Sequence, residues 1–300
     1  VYLVEPEDAL DFLPDRDPEM HKGDRGRLLI VGGSAGLTGA VALAAEAAVR
    51  AGAGLVTAGV PRSLNDVMEA KLTEAMTLLL PELEARALSR DAFDTIALFQ
   101  PGRLTALALG PGMGRHPSTL GLIRRILTEM RLPTVLDADG LYAYAGQADD
   151  LRLRTDGPLV ITPHAGEFAA LTGETPEAIQ ERRFELCSTW ARRLGTVLVL
   201  KGAPTVVGDP DTGTVYVNPT GSEALATGGS GDVLTGLIAG FLAQGVDAME
   251  ASLAAVFLHG WTADWLVGEW GTLHGIKAGD LLEAFAPALG DLLQPWDDDE

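Results

Sequence analysis

The sequence predicts an α/β fold: a mainly parallel central sheet with helices on both faces. Short apolar runs of strand length alternate with helical stretches along most of the 300 residues. The glycine-rich and polar turns come after these runs, on the edge where open α/β sheets bind ligands. Hydrophobic residues make up 47% of the chain, enough to bury a substantial core.

Taken in order, residues 1–25 form an extension with a short helical stretch around Glu7 to Phe12 and a polar, proline-containing segment. Leu28 to Val31 is an apolar run suited to a buried parallel strand. Gly32-Gly33-Ser34-Ala35-Gly36 turns the chain, and Thr38 opens an alanine-rich helix to Arg50, ended by Gly52 or Gly54. Leu55 to Val60 reads as the next strand, with Pro61 starting a helix. Met76 to Leu80 and Ala106 to Leu109 read as strands with a helix between them, and Gly110-Pro111-Gly112-Met113-Gly114 follows the second. Strands then end in Asp137-Ala138-Asp139-Gly140, in Pro163-His164-Ala165-Gly166-Glu167 and in Lys201-Gly202-Ala203-Pro204-Thr205. Thr205 to Val207 and Thr214 to Val217 read as a hairpin around Asp211-Thr212-Gly213, and the chain from Gly229 on is mostly helical. With no internal repeat or long linker, residues 1–300 are expected to form a single domain, with 295–300 as a solvated acidic tail.

The charge balance narrows function. The 22 basic and 42 acidic side chains give a net charge of −20, which disfavours nucleic acid as a partner. The same field opposes phosphorylated ligands, so a nucleotide site needs helix dipoles, a few basic residues and Mg²⁺. No apolar run reaches membrane-spanning length and no signal peptide opens the sequence. Cys187 stands alone, so there is no internal disulfide and a reducing cytoplasm suits the chain; its expected role is helix packing.

The stretch Ala226-Thr227-Gly228-Gly229-Ser230-Gly231-Asp232-Val233-Leu234 feeds glycines and small hydroxyl residues into an apolar helix. Such a loop turns backbone N–H groups toward one point, where the helix dipole favours an anion. A carboxylate there repels a phosphate. Asp232 therefore has two readings: a base that takes the proton of a hydroxyl attacking the phosphate, or a cap for first-turn amides.

Neither a P-loop nor a dinucleotide glycine fingerprint is present, and the five histidines show no metal-ligand spacing. Gly32-x-Ser34-x-Gly36 matches a hydrolase nucleophile elbow, but the strands that must precede one do not fit before residue 28. His164, at a strand end, reads as a ligand contact, whereas His259, on an apolar helix, reads as a satisfied packing histidine. For Asp137 and Asp139, helix capping is the commoner fate, against an approach to a metal or phosphate. Lys201 either reaches a phosphate or lies on the surface.

Six segments in order, each after an expected strand, resemble one family: 32–40, 110–114, 136–140, 162–167, 200–205 and 227–234. Together they look like the ADP/ATP-dependent NAD(P)H-hydrate dehydratases of the ribokinase-like superfamily. The resemblance implies a three-layer sandwich. It also implies Asp232 as catalytic acid/base, Gly229, Ser230 and Gly231 as the phosphate site, and Lys201, Gly202, Ala203, Pro204, Thr205 and Gly231 as the nucleotide site. Ala40, Gly112, His164 and Asp232 would contact the hydrated dinucleotide.

By the same resemblance the substrates are NADH hydrate or NADPH hydrate (the S-epimer) and ADP, with Mg²⁺ as cofactor and no protein-only metal site. A homo-oligomer, as a tetramer, is the expected assembly. In many bacteria the dehydratase is fused behind an epimerase, and no segment of that size precedes Gly32, which fits either a separate epimerase or an excised domain. The competing readings are an ATP-dependent vitamin-precursor or sugar kinase of the same fold, a non-catalytic nucleotide-binding protein, and an esterase at Ser34.

Overall fold

The computed structural model describes residues 1–14, 18–99, 102–154 and 156–294, so the acidic segment 295–300 lies outside the described residues. Ten strands form one sheet: β1 (Tyr2–Leu3), β2 (Arg27–Val31), β3 (Leu55–Pro61), β4 (Met76–Leu80), β5 (Ala106–Leu109), β6 (Thr134–Leu136), β7 (Leu159–Ile161), β8 (Val197–Leu200), β9 (Val206–Gly208) and β10 (Val215–Val217). Their order is β1-β10-β9-β8-β7-β6-β5-β2-β3-β4. The run from β8 to β4 is parallel throughout, and β9 is antiparallel to both its neighbours.

The helices are α1 (Pro6–Asp11), α2 (Thr38–Arg50), α3 (Asn65–Lys71), α4 (Ala92–Leu98), α5 (Pro117–Glu129), α6 (Ala165–Thr172), α7 (Pro176–Glu181), α8 (Arg183–Leu194), α9 (Ser230–Ala243), α10 (Ala248–Trp270) and α11 (Ala278–Leu292). Among the described residues no helix is long and apolar enough to cross a membrane.

Side-chain alternation along the strands builds two cores. Leu28, Ile30, Ala106, Ala108 and Val135 face the layer of α2, α9, α10 and α11. Leu29, Val31, Leu107, Leu109 and Leu136 face α4, α5, α6 and α8. Burial on both faces explains why these strands are apolar without interruption. The result is a three-layer sandwich. Small residues let α2 and α9 approach closely: a Cβ on Gly236 would stand 2.2 Å from the Ala44 carbonyl oxygen.

Strand order reverses between β2 and β5, since β3 and β4 extend one way and β6 to β10 the other. That reversal opens a crevice beyond the carboxyl ends of the strands. The turns after β2 and β5 border it and are tied together. Ser34 Oγ donates to the Gly112 carbonyl at 2.8 Å and Gly33 N to the Pro111 carbonyl at 2.8 Å. The Ser34 hydroxyl is thus a buried tether between two turns, which removes the basis for a nucleophile elbow.

Two expectations need correction. Pro61 closes β3 instead of opening a helix, and a 3-10 turn, Arg62–Leu64, precedes α3. The N-terminal extension also contributes an edge strand, because Tyr2 and Leu3 pair in parallel with Tyr216 and Val217.

Candidate active site

The first turn of α9 is the centre of the site. Gly229 is its N-cap at φ 97°, in the left-handed region open to glycine, and no side chain caps the helix. Ser230 N reaches the Thr227 carbonyl at 3.4 Å, while the N–H groups of Gly231 and Asp232 have no backbone acceptor among the described residues. Two orphan donors at the positive end of a helix dipole make an anion cradle. The Ser230 hydroxyl is turned away, donating to the carbonyls of Leu225 at 2.8 Å and Thr227 at 3.1 Å, so Ser230 braces the loop through its side chain.

Asp232 follows the cradle on the same turn and is not spent on capping. Burial pushes its carboxyl up to about 7, and the negative charge of Asp137 adds to the effect. Lys201 works in the opposite sense, and Glu167 and Asp139 add further repulsion.

Asp137 anchors the site from below. It is 2% exposed, and its carboxylate accepts from Thr162 Oγ1 at 2.7 Å, Lys201 Nζ at 2.8 Å and Thr235 Oγ1 at 2.7 Å. Burial alone would raise its pKa, but the Lys201 charge and these three hydrogen bonds hold it below the usual carboxylate range. Asp137 therefore stays charged and joins β6, β7, β8 and α9 at one point. It stands at the N-cap position of the 3-10 turn Ala138–Tyr144, but its side chain makes no cap hydrogen bond, and the Asp139 carboxylate is likewise used elsewhere, accepting from Gly114 N and Arg115 Nε, each at 2.9 Å.

Lys201 is not a surface lysine. Its ammonium lies 2.8 Å from Asp137 Oδ1 and 3.8 Å from Glu167 Oε2. Burial disfavours its charge, but the two carboxylates outweigh that and raise its pKa above the ordinary lysine value. A Cβ built on Gly231 would stand 3.3 Å from Nζ, so the ammonium borders the anion cradle and Gly231 leaves it room.

His164 is the N-cap of α6: its Nδ1 accepts from Gly166 N at 3.0 Å and Glu167 N at 3.3 Å, and Glu167 Oε2 accepts from His164 N at 2.9 Å. This reciprocal box fixes the ring while leaving 58% of the side chain exposed. Ala40 and Gly112 meet at the turn after β5: Gly112, at φ 62°, would place a Cβ 3.3 Å from the Ala40 Cβ and 2.5 Å from the Leu37 carbonyl. The 201–205 loop turns through a cis Ala203–Pro204 bond and is closed by Thr205 Oγ1, which donates to the Gly202 carbonyl at 3.0 Å.

The structure thus brings Asp232, Gly231 and Lys201 together, and Ala40 with Gly112. Sequence reasoning missed Thr162, Thr235 and Glu167 as parts of the site. Their signal was position: Thr162 directly follows β7, and Thr235 lies one helical turn from Asp232. His259 is buried as expected; burial pulls its pKa down to about 4 against an opposing hydrogen bond with the Ser230 backbone, and its Nε2 has no partner within hydrogen-bond geometry.

Among the described residues no three His, Cys, Asp or Glu side chains gather as a metal-ligand set, and the Asp137 carboxylate is already filled by three donors. Mg²⁺ keeps several waters and binds largely through substrate phosphates. These residues therefore fit an ion that arrives with a nucleotide.

A family model described as NAD(P)H-hydrate dehydratase matches residues 28–286. The bifunctional NAD(P)H-hydrate repair enzyme Nnr of Moorella thermoacetica is 49% identical over 93% of this chain and 52% of that protein. The chain spans about half the length of such bifunctional relatives. An ADP-dependent (S)-NAD(P)H-hydrate dehydratase of Bacillus subtilis is 38% identical over 84% of this chain and 85% of that protein. A crystal structure of the ADP/ATP-dependent NAD(P)H-hydrate dehydratase from Bacillus subtilis, co-crystallised with ATP/Mg²⁺, superposes with a TM-score of 0.82 at 34% identity, covering 97% of this chain and 99% of that one. With the anion cradle, its carboxylate and the matching segments of the crevice, these likenesses place the chain in the NAD(P)H-hydrate dehydratase family.

Proposed function

We propose that this chain converts the S-epimer of NADH hydrate or NADPH hydrate back to NADH or NADPH, consuming ADP and releasing AMP and phosphate. The carrying observation is a carboxylate, Asp232, on a helix turn with unpartnered amides and beside the Lys201 ammonium, where burial pushes its pKa up to about 7. Water added across the nicotinamide ring leaves a hydroxyl at C6, and hydroxide is a poor leaving group. Asp232 takes the hydroxyl proton as that oxygen bonds to the terminal phosphorus of ADP and the bridging P–O bond breaks, freeing AMP. The ring nitrogen lone pair then expels phosphate, the C6–O bond breaks, and loss of a ring proton restores the dihydropyridine.

In this reading Gly229, Ser230 and Gly231 form the phosphate site, with the Gly231 amide and Lys201 offsetting charge on the transferred group. The 201–205 loop lines the nucleotide site, and Ala40, Gly112 and His164 line that of the hydrate. Mg²⁺ arriving with the nucleotide would supply further charge neutralisation there. The longer relatives are named bifunctional repair enzymes, which supports a functional link to a second repair activity, and we take that activity to be the epimerase.

The test is to mix the protein with NADH hydrate, Mg²⁺ and either ADP or ATP, and to follow the near-ultraviolet absorbance of reduced nicotinamide. A rise with ADP that Asp232→Asn slows by about 10²- to 10⁴-fold, with ADP still bound, supports the proposal. A rise only with ATP would overturn the choice of donor. No rise with either, but ATP turnover on a vitamin precursor, would favour a kinase. Undiminished turnover in Asp232→Asn would remove Asp232 as the base.

A further inference from the structure

Arg183, the first residue of α8, is absorbed by none of the roles above. Its Nη1 donates to the carbonyls of Leu200 at 3.2 Å, Lys201 at 3.3 Å and Pro204 at 3.4 Å. These oxygens bracket the 201–205 loop from both ends, so one cation gathers the whole turn. The approach is close enough to constrain the loop sequence. A Cβ on Gly202 would stand 2.5 Å from Nη2, 2.6 Å from Nη1 and 2.8 Å from Cζ. Three carbonyls hold the guanidinium, so it cannot swing aside cheaply, and Gly202 is the residue that fits over it.

The guanidinium is half-buried, and burial pulls its pKa below the usual arginine value. Among the described residues no carboxylate lies within ion-pair distance of it. The charge is thus set among main-chain carbonyls alone, in a chain of net charge −20. Carbonyl oxygens are what a cation can organise, and a peptide unit that turns its oxygen one way turns its N–H the other. Fixing the Pro204 carbonyl on Arg183 therefore aims the Thr205 N–H away from α8. Fixing the Lys201 carbonyl does the same for Gly202 N, which points to Thr205 Oγ1 at 3.3 Å.

We infer that Arg183 is the positioning residue of the 201–205 loop, holding its backbone in the shape that receives the adenine nucleotide. This rests on reading that loop as part of the nucleotide site. Arg183 acts through main-chain groups and takes no direct part in proton or phosphoryl transfer, so its effect falls chiefly on nucleotide binding.

The test compares Arg183→Met and Arg183→Lys with the wild-type chain. Both keep the aliphatic stem against α8, and only lysine keeps a cation for the carbonyls. Arg183→Met is expected to raise the KM for ADP about tenfold or more and to weaken ADP binding in calorimetry equally. The KM for NADH hydrate stays within about twofold on this account, and kcat at saturating ADP changes much less than the KM for ADP, because Asp137 still holds the Lys201 ammonium when the Lys201 carbonyl is released. Arg183→Lys recovers most of the ADP affinity. A general loss of packing would instead move both KM values and the ligand-free melting temperature together, in both variants.

Photolabelling of the wild-type chain with 8-azido-ADP, followed by peptide mapping, checks the underlying reading. Label on the 201–205 peptide with an unchanged ADP KM in Arg183→Met would overturn the role of Arg183 alone. Label elsewhere would overturn the loop assignment and the inference with it.

Discussion

Thr235 Oγ1 donates to Asp137 Oδ2 at 2.7 Å, a buried hydrogen bond between residues 98 positions apart. It fastens α9 to the carboxyl end of β6 and so fixes the helix turn that carries Asp232. A hydrogen bond to a buried charged group is worth roughly 1.5–3 kcal/mol. Thr235→Val keeps the shape and removes the donor. It is expected to lower unfolding free energy by about 2 kcal/mol in denaturant titrations and to reduce kcat, with Thr235→Ser restoring most of both. An unchanged stability in Thr235→Val would mean that this bond does not anchor α9.

The pH dependence of turnover follows from the neighbours of Asp232. Its carboxyl, pushed up to about 7, accepts a proton only when ionised, so kcat/KM is expected to rise with pH through about 7. Asp137→Asn removes the main negative neighbour and leaves the Lys201 charge less compensated. Both effects lower the Asp232 pKa, so the acidic limb moves to lower pH. Lys201→Met removes the attraction and moves it to higher pH. Opposite shifts in the two pH–rate profiles would assign the limb to Asp232, whereas shifts of the same sign would assign it to another group.

Stability carries the same signature. A carboxyl whose folded pKa lies above its unfolded value favours folding below that unfolded value and loses the contribution as pH rises through the folded pKa. For Asp232 the window runs from the ordinary value of 3.8 to about 7. The wild-type chain therefore holds a charge at pH 8 that costs at most about 4 kcal/mol in the folded state. Asp232→Asn is expected to be more stable than wild type at pH 8, with the difference vanishing near pH 4, by chemical denaturation at the two pH values. A variant less stable at pH 8 would contradict the buried, repelled state of this carboxylate.

The fold was legible because its signals are local. Leu28 to Val31 and Val197 to Leu200 are apolar runs of strand length, and Thr38 to Arg50 shows its helix in alanine content and a closing glycine. Tyr2–Leu3 was not legible, since a two-residue strand has no period and gains its partner only when the chain end reaches Tyr216. Asp232 was found because a carboxylate beside a glycine-rich anion loop is locally inconsistent. Asp137 looked like a cap because capping needs only its own neighbours, whereas its actual partners, Thr162, Lys201 and Thr235, lie 25, 64 and 98 residues away. Arg183 carries no motif, because its role is written in the carbonyls it meets 17 to 21 residues later.

The contact between α9 and α2 bears on the site as well as on the core. A Cβ on Gly236 of α9 would stand 2.2 Å from the Ala44 carbonyl and 2.7 Å from the Ala47 Cβ of α2. Both helices bring residues to the crevice, Asp232 from α9 and Ala40 from α2. Glycine in a helix interior costs about 1 kcal/mol against alanine, so Gly236→Ala gains that much in propensity. Backbone cannot yield as a side-chain tip can, and forcing the helices apart typically costs 1–3 kcal/mol and more where the contact is main chain. The clash wins, and Gly236→Ala is expected to lower the unfolding free energy by about 1–3 kcal/mol and to reduce turnover by displacing Asp232. Gly290 of α11 is the control, because nothing lies within 4 Å of a Cβ there. Gly290→Ala keeps the propensity gain without the clash, so it is expected to raise stability by about 0.5–1 kcal/mol and to leave turnover unchanged. Denaturant titrations of the two variants side by side separate packing from propensity, and a stabilised Gly236→Ala would show that α2 and α9 can part without loss.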